Sequence, residues 1–315
     1  MTGETESTSI LTLLPSATEI VYALGLEPVG VSHECDYPPA AAEKPAINQS
    51  RIDAEATAAE IDQQVQDAVA EDGVYELDLD ALADADPDLI VSQGICDVCA
   101  VDDTLVRESV AELGLETEII TTHPHSLDDV LADIERIGAA AGVERRAREL
   151  IEELQARIET VEHATATIDT RPTVAVLDWT APPMIAGHWV PEMIELAGGE
   201  YGLADPGDRS RPREWDTIRS YDPDVLIVAP CGFELDQTMA NASDLTQRPG
   251  WTDLTAVQAN RVYAIDGHHY MNRPGPRLVD SLEHLAGLLH PGRFDRPTEP
   301  IASVFPRQSV AVSDR

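Results

Sequence analysis

The chain has 315 residues, 43% of them apolar, and carries 58 acidic residues against 21 lysines and arginines, a formal charge of -37 with Lys44 the only lysine. Such a balance argues against nucleic acid and anionic membranes as partners, because phosphate binding needs clustered Lys and Arg, and no apolar run reaches the length of about eighteen residues that a membrane span requires. The apolar content suffices for packed cores rather than acidic disorder, the length predicts two domains, and an acid-rich, lysine-poor surface suits work in high salt, where repulsion is screened.

In chain order, Ile10 to Leu14 (ILTLL) reads as a buried strand. Pro15-Ser16 follows, and Ser16 with Glu19 three positions on predicts a capping box for a helix that Gly25 closes. Pro28 to Ser32 reads as a second strand and Ala54 to Ala70 as a surface helix. ALADADPDLIVSQGIC then gives a helix, a break at Pro87 and a buried strand from Leu89 to Ser92, and Glu118 to Thr121 gives another strand. Strands alternating with helices imply a parallel sheet.

The second half repeats this plan. Thr173 to Trp179 is strand-like, PEMIELAGG makes a helix ended by Gly198-Gly199, and DTIRSYDPDVLIVAPCGF mirrors the first-half unit. In each copy a short helix leads to Asp-Pro-Asp, a buried strand and a cysteine: Asp86 and Cys96 in the first, Asp222 and Cys231 in the second. Recurrence of the same unit in the same order predicts an internal duplication. Between the halves, Ser126 to His163 keeps apolar positions at helical spacing, with Gly138 and Gly142 as points of division. The expected fold is α/β, with two Rossmann-like parallel-sheet lobes joined by a long rigid helix and a ligand cleft between them. The boundaries are 8–124 for the N-terminal lobe, 125–168 for the connecting helix, 169–293 for the C-terminal lobe and 294–315 for a loose tail.

In open parallel sheets ligands bind beyond the carboxyl ends of the strands, which selects the candidate residues. In the first lobe these are Ser16, Thr18 and Glu19, then His33, Glu34 and Tyr37. In the second they are Trp179, His188, Trp189 and Phe233, followed by Tyr270, Asn272 and Arg273. Three of the four tryptophans, Trp215 included, fall in second-lobe loops. There they suit either a large, partly apolar ligand or lobe packing. Cys96-x-x-Cys99 supplies two of the four ligands a closed zinc site needs. Cys231 and His33 are the candidates to complete a soft-metal site for zinc or iron; small buried cysteines and a redox pair are the other roles open to these thiols. His268 and His269 read as loop histidines and Asp266-Gly267 as turn chemistry. No Gly-rich phosphate loop, G-x-S-x-G elbow or H-E-x-x-H is present, so no enzyme is predicted and no cofactor is required. MTGETESTS has neither a basic region nor an apolar stretch, and the first cysteine is Cys35. As written, this predicts a cytoplasmic protein; an added leader would make it extracytoplasmic and membrane-associated.

These residues also carry a resemblance. LLPSATEIVYALGLEPVGVSHECDYP resembles the opening of the vitamin B12-binding members of the ABC-transporter solute-binding proteins, the class with a rigid interlobe helix, and RVYAIDGHHYMNRPGPRLVDSLEHLAGLL is similar to their closing segment. The resemblance spans Ile10 to Pro291. It implies a periplasmic-binding-protein-like fold of the helical-backbone type. It also implies a monomer that holds cobalamin, another corrinoid, or an iron chelate or haem between aromatic-bearing loops, and delivers it to an ABC permease. Tyr37 matches the tyrosine of the D-Y-P segment, Trp179 and Trp189 lie in ligand-facing loops, and Asp97 and Glu234 are the acids nearest the permease-docking positions. QGICDVCAV resembles a leaderless cobalamin-binding branch, in which an intracellular metal- or corrinoid-handling role for the Cys/His cluster is the alternative.

Overall fold

The computed structural model describes residues 8–70, 73–95, 101 and 103–308. The chain divides into two compact units: Met1–Asp53, Gln63–Pro124 and Asp128–Leu154 form the first, and Ala54–Asp62, His125–Leu127 and Gln155–Arg315 the second.

The first unit holds a fully parallel sheet of β1 (Ile10–Thr12), β2 (Gly30–Val31), β5 (Leu89–Gln93) and β6 (Glu118–Thr122) in the order β2-β1-β5-β6. β3 (Asn48–Ser50) and β4 (Tyr75–Leu77) pair antiparallel as a separate ribbon. Helices α1 (Pro15–Ala23), α3 (Leu79–Ala85), α4 (Asp103–Leu113) and α5 (Leu127–Ala140) alternate with the strands, as does α2 (Ala58–Ala70), in which one division between the units falls. β5 is buried at every position, as a central parallel strand must be. The capping box expected at Ser16 does not form. Leu14 is the N-cap, without a side-chain bond, and Pro15 occupies the first helical turn, where its missing N–H costs nothing; this moves Ser16 inside the helix.

The predicted long connecting helix is two helices, α5 and α6 (Glu144–Thr165), separated at Gly142, whose φ of 69° suits glycine. Gly138 lets them approach, since a Cβ there would stand 2.5 Å from that of Ala147. The last division between the units along the chain falls inside α6.

The second unit carries β7 (Val174–Thr180), β8 (Pro183–Ile185), α7 (Val190–Leu196), β9 (Arg211–Pro212), α8 (Trp215–Tyr221), β10 (Val225–Val228), α9 (Leu235–Ala240), α10 (Ser243–Thr246), α11 (Thr255–Gln258), β11 (Val262–Ile265), α12 (Leu278–Leu289) and β12 (Ala302–Val304). Its sheet runs β12-β11-β10-β7-β8-β9. The three central strands are parallel, and β8, β9 and β12 are antiparallel additions. The segment expected to be a loose tail is thus partly structured: β12 pairs with β11, and Phe305 is 2% exposed against Trp251.

The expected duplication has a stereochemical basis. Asp86 and Asp222 both end short helices in the left-handed region, with φ of 38° and 46°, a conformation that Asp adopts more readily than most residues. Two residues on, Asp88 and Asp224 open the buried strands β5 and β10. Each accepts from the backbone N–H and the hydroxyl of the residue just before the neighbouring parallel strand, Ser9 or Thr173.

Candidate functional site

In the second unit, three loops at the carboxyl ends of β7, β10 and β11 are tied together by backbone bonds. Beyond β10 the Cys231 N–H donates to the Asp178 carbonyl of β7 at 3.0 Å, and Gly232, with φ of 78°, turns the chain. The Phe233 carbonyl then accepts from both Gly267 and His268 N–H at 3.0 Å. A Cβ on Gly267 would lie 2.2 Å from the Pro230 carbonyl oxygen, so glycine is what lets the β11 loop settle on the β10 loop. Asn272 clamps the other end, donating to the Ala229 carbonyl at 3.2 Å and to Gly267 at 3.0 Å.

This scaffold sets an aromatic floor. The Trp179 and Phe233 rings lie 5.1 Å apart, tilted by 59°, a favourable aromatic arrangement. Trp179 is 9% exposed, and its indole N–H is satisfied by the Ala181 carbonyl at 3.1 Å. Trp189 is also buried and donates to the Met271 carbonyl at 3.0 Å, joining α7 to the β11 loop. Beside the floor, Gly267–Met271 forms a single π-helical turn, a feature that recurs at functional sites. Its imidazoles are half-buried and pre-set. Buried Asp266 accepts from the His269 N–H and pairs with His269 Nδ1, each at 2.8 Å, while the buried Arg273 guanidinium meets His268 Nε2. A carboxylate behind an imidazole fixes its tautomer and ring orientation. Tyr270 packs under the Arg277 guanidinium, 5.6 Å from its ring, and beside His284, whose pKa burial lowers.

His188 occupies the left-handed region at φ of 53°, with its ring 5.6 Å from Trp189. Its Nδ1 lies 3.4 Å from Nδ1 of His125. Burial first, then the charges of His125 and Arg209, hold its pKa down to about 4, so it is neutral at physiological pH.

The first-unit candidates are mostly internal. Thr18 has no exposed surface; its hydroxyl pairs with those of Thr12 at 2.6 Å and Cys35 at 3.0 Å, joining α1, β1 and the β2 loop. Ser16 and Glu19 are buried on the same helix. His33 is half-buried, with its N–H on Asn48 Oδ1 at 2.9 Å, its Nδ1 3.1 Å from the same oxygen and Glu34 3.8 Å from its Nε2. Tyr37 is 45% exposed. Of the expected thiolate site, Cys96 and Cys99 lie outside the described residues, as does Asp97; Cys231 is half-buried. Trp215 stacks on Trp251 at 6.2 Å rather than joining the aromatic floor, and Glu234 is exposed at the N-cap of α9.

The pairing of Asp266 with His269 and the contact of His125 with His188 are the features that sequence reasoning missed. Asp-x-x-His at capping spacing could have flagged the first. The second joins residues 63 positions apart and has no local signal.

Two α/β units of repeated design, the second with half-buried imidazoles and a phenol beside buried aromatics at the carboxyl edge of its sheet, have the architecture of a binding protein. The chain belongs to the periplasmic binding protein family, whose model matches residues 10–268. It is 25% identical over 301 residues to the uncharacterized ABC transporter substrate-binding lipoprotein YvrC of Bacillus subtilis, covering 93% of this chain and 83% of that one. It is 25% identical over 299 residues to a cobalamin-binding protein of Halobacterium salinarum, covering 92% and 71%. A periplasmic heme binding protein from Pseudomonas aeruginosa shares the fold with a TM-score of 0.72 at 18% identity, over 96% of this chain and 100% of that one. Among the described residues, no helix is long and apolar enough to cross a membrane.

Proposed function

We propose that this protein is a non-enzymatic receptor for a corrinoid such as cobalamin, or for a related metal chelate, and serves as the substrate-binding component of an ABC-type uptake system outside the cytoplasmic membrane. The observation that carries this reading is the π-turn, whose half-exposed imidazoles and phenol are held on the β10 loop that carries Phe233, packed in turn on Trp179. A flat macrocycle needs apolar faces to lie against and a few fixed polar groups at its rim or metal. Relatives named for cobalamin and heme binding support the same ligand class.

Titration of the purified protein with aquocobalamin, cobinamide and haemin, followed by visible absorption and calorimetry, tests this reading. One of the three is expected to bind at micromolar concentration or below with a shifted absorption band, and Trp179→Ala is expected to weaken it about tenfold or more. Absence of both heat and spectral change with all three would overturn it.

A further inference from the structure

Gly187 and His188 follow β8, and loop 205–210 is packed directly onto their backbone. A Cβ on Gly187 would stand 2.1 Å from the Asp208 carbonyl oxygen and 2.7 Å from the Arg209 carbonyl carbon. The His188 N–H donates to the Asp208 carbonyl, the Gly207 N–H to the His188 carbonyl at 2.9 Å, and the Gly187 N–H to Ser210 Oγ at 3.0 Å. Arg209 is therefore carried on a loop locked to His188, and His125 meets the same imidazole from the segment preceding α5, with rings 5.4 Å apart. The charges that act on His188 are those of His125 and Arg209. The carboxylates on the packed elements are engaged or turned to solvent: Glu192 of α7 accepts the Leu127 N–H at 2.9 Å, and Asp205 and Asp208 are exposed. Three basic groups converging in a chain of charge -37 run against its composition.

We propose that His125, His188 and Arg209 form a proton-coupled oxyanion site, which takes a carboxylate, phosphate or sulfate group. The two Nδ1 atoms stand 3.4 Å apart, so a neutral pair with one ring in the Nδ1–H tautomer can donate from that ring to the other. When the accepting imidazole gains a proton, both Nδ1 atoms carry hydrogens that face each other and the bond between them is lost. An oxyanion that accepts from both restores two charge-assisted bonds, and the Arg209 guanidinium adds a third positive group matched to oxyanion geometry. Proton uptake and anion binding then promote each other. The low pKa of His188, about 4 without an anion, leaves a wide window for this coupling. Trp189 ties this site to the π-turn through its bond to the Met271 carbonyl, so an acidic substituent of a ligand lying against that turn is its natural occupant. That last placement rests on the chelate reading; the anion site itself does not.

Sulfate is the probe, because its charge does not change over the range concerned. Calorimetry and the imidazole Cε1–H resonances of the full chain would be followed at constant ionic strength. Sulfate affinity is expected to rise by up to about tenfold per unit as pH falls from about 6.5 towards 4.5, with the His188 resonance shifting, and Arg209→Gln is expected to weaken binding about tenfold at the acid end. In the double variant His125→Gln/His188→Asn, whose Asn tolerates the left-handed backbone at 188, the pH dependence is expected to vanish while the circular dichroism is unchanged. Equal sulfate affinity across the range, or a pH dependence that survives removal of both imidazoles, overturns the proposal. Failure of chelate binding leaves it standing, and a negative sulfate result leaves the chelate reading standing.

Discussion

Asp224 holds Thr173 by two bonds, accepting the backbone N–H at 2.9 Å and the hydroxyl at 3.0 Å on one carboxylate oxygen, while the Thr173 hydroxyl takes the Asp224 N–H at 3.0 Å. The knot pins the starts of β7 and β10, so it sets the register of the second unit's parallel core. Thr173→Val removes the hydroxyl and is expected to cost about 1–2 kcal/mol in urea unfolding. Asp224→Asn is expected to cost a similar amount, and the double variant less than the sum, because one network is lost once. Additive costs would show that the two residues act independently.

The equivalent knot of Asp88 and Ser9 explains why so much of the architecture was legible. An Asp-Pro-Asp unit specifies a helix end, a left-handed residue and a capped strand start within three positions, all local chemistry. Buried parallel strands likewise announce themselves as continuous apolar runs. What escaped were decisions made by tertiary contact or by competition at one position. Pro15 displaced Ser16 from the cap it would otherwise occupy. Arg211–Pro212, too short to show alternation, became an edge strand on β8. Trp215 was drawn to Trp251 rather than to the ligand edge. At the site, the tryptophans were legible by type and place, whereas Asp266 behind His269 looked like ordinary turn residues and His125 needed the fold to find its partner.

Gly267 shows how closely the site depends on packing. An added methyl would meet the carbonyl oxygens of Pro230 at 2.2 Å and Ala229 at 2.8 Å, both rigid backbone atoms. Gly267→Ala is therefore expected to push the π-turn away from the β10 loop, at a cost of about 2–3 kcal/mol. Chelate binding should fall by more than in Asn272→Ala, which removes a clamp but adds no clash. Unaltered melting and unaltered binding in Gly267→Ala would refute this.

Asp133 on α5 is buried, and burial raises its carboxyl to about 6 despite the Arg136 guanidinium 2.9 Å away. A folded-state pKa above the unfolded value of about 3.9 means that folding favours the protonated form. Its stabilising contribution is complete at low pH and is lost as pH rises through about 6. Asp133→Asn should remove that dependence. The wild type is expected to lose about 1–2 kcal/mol relative to the variant between about pH 5 and pH 7.5, measured by urea unfolding at each pH. A constant difference across the range would show that the carboxyl stays charged in the fold.

Phe305 turns the chain's last described segment from an appendage into part of the core. Its ring lies edge-on to Trp251 at 5.9 Å, Trp251 stacks on Trp215, and the Trp251 indole N–H is satisfied by the Arg307 carbonyl at 3.0 Å. The Phe305 N–H in turn donates to the Val262 carbonyl at 2.9 Å, extending the pairing of β12 with β11. Since β11 leads straight into Asp266 and the π-turn, loosening this edge should reach the binding surface. Phe305→Ala is expected to cost about 3–4 kcal/mol by the cavity it leaves, and hydrogen exchange should quicken in β11 and the 266–272 loop while the first unit is unaffected. A variant that melts like the wild type would return residues 301–308 to the status of a loose tail.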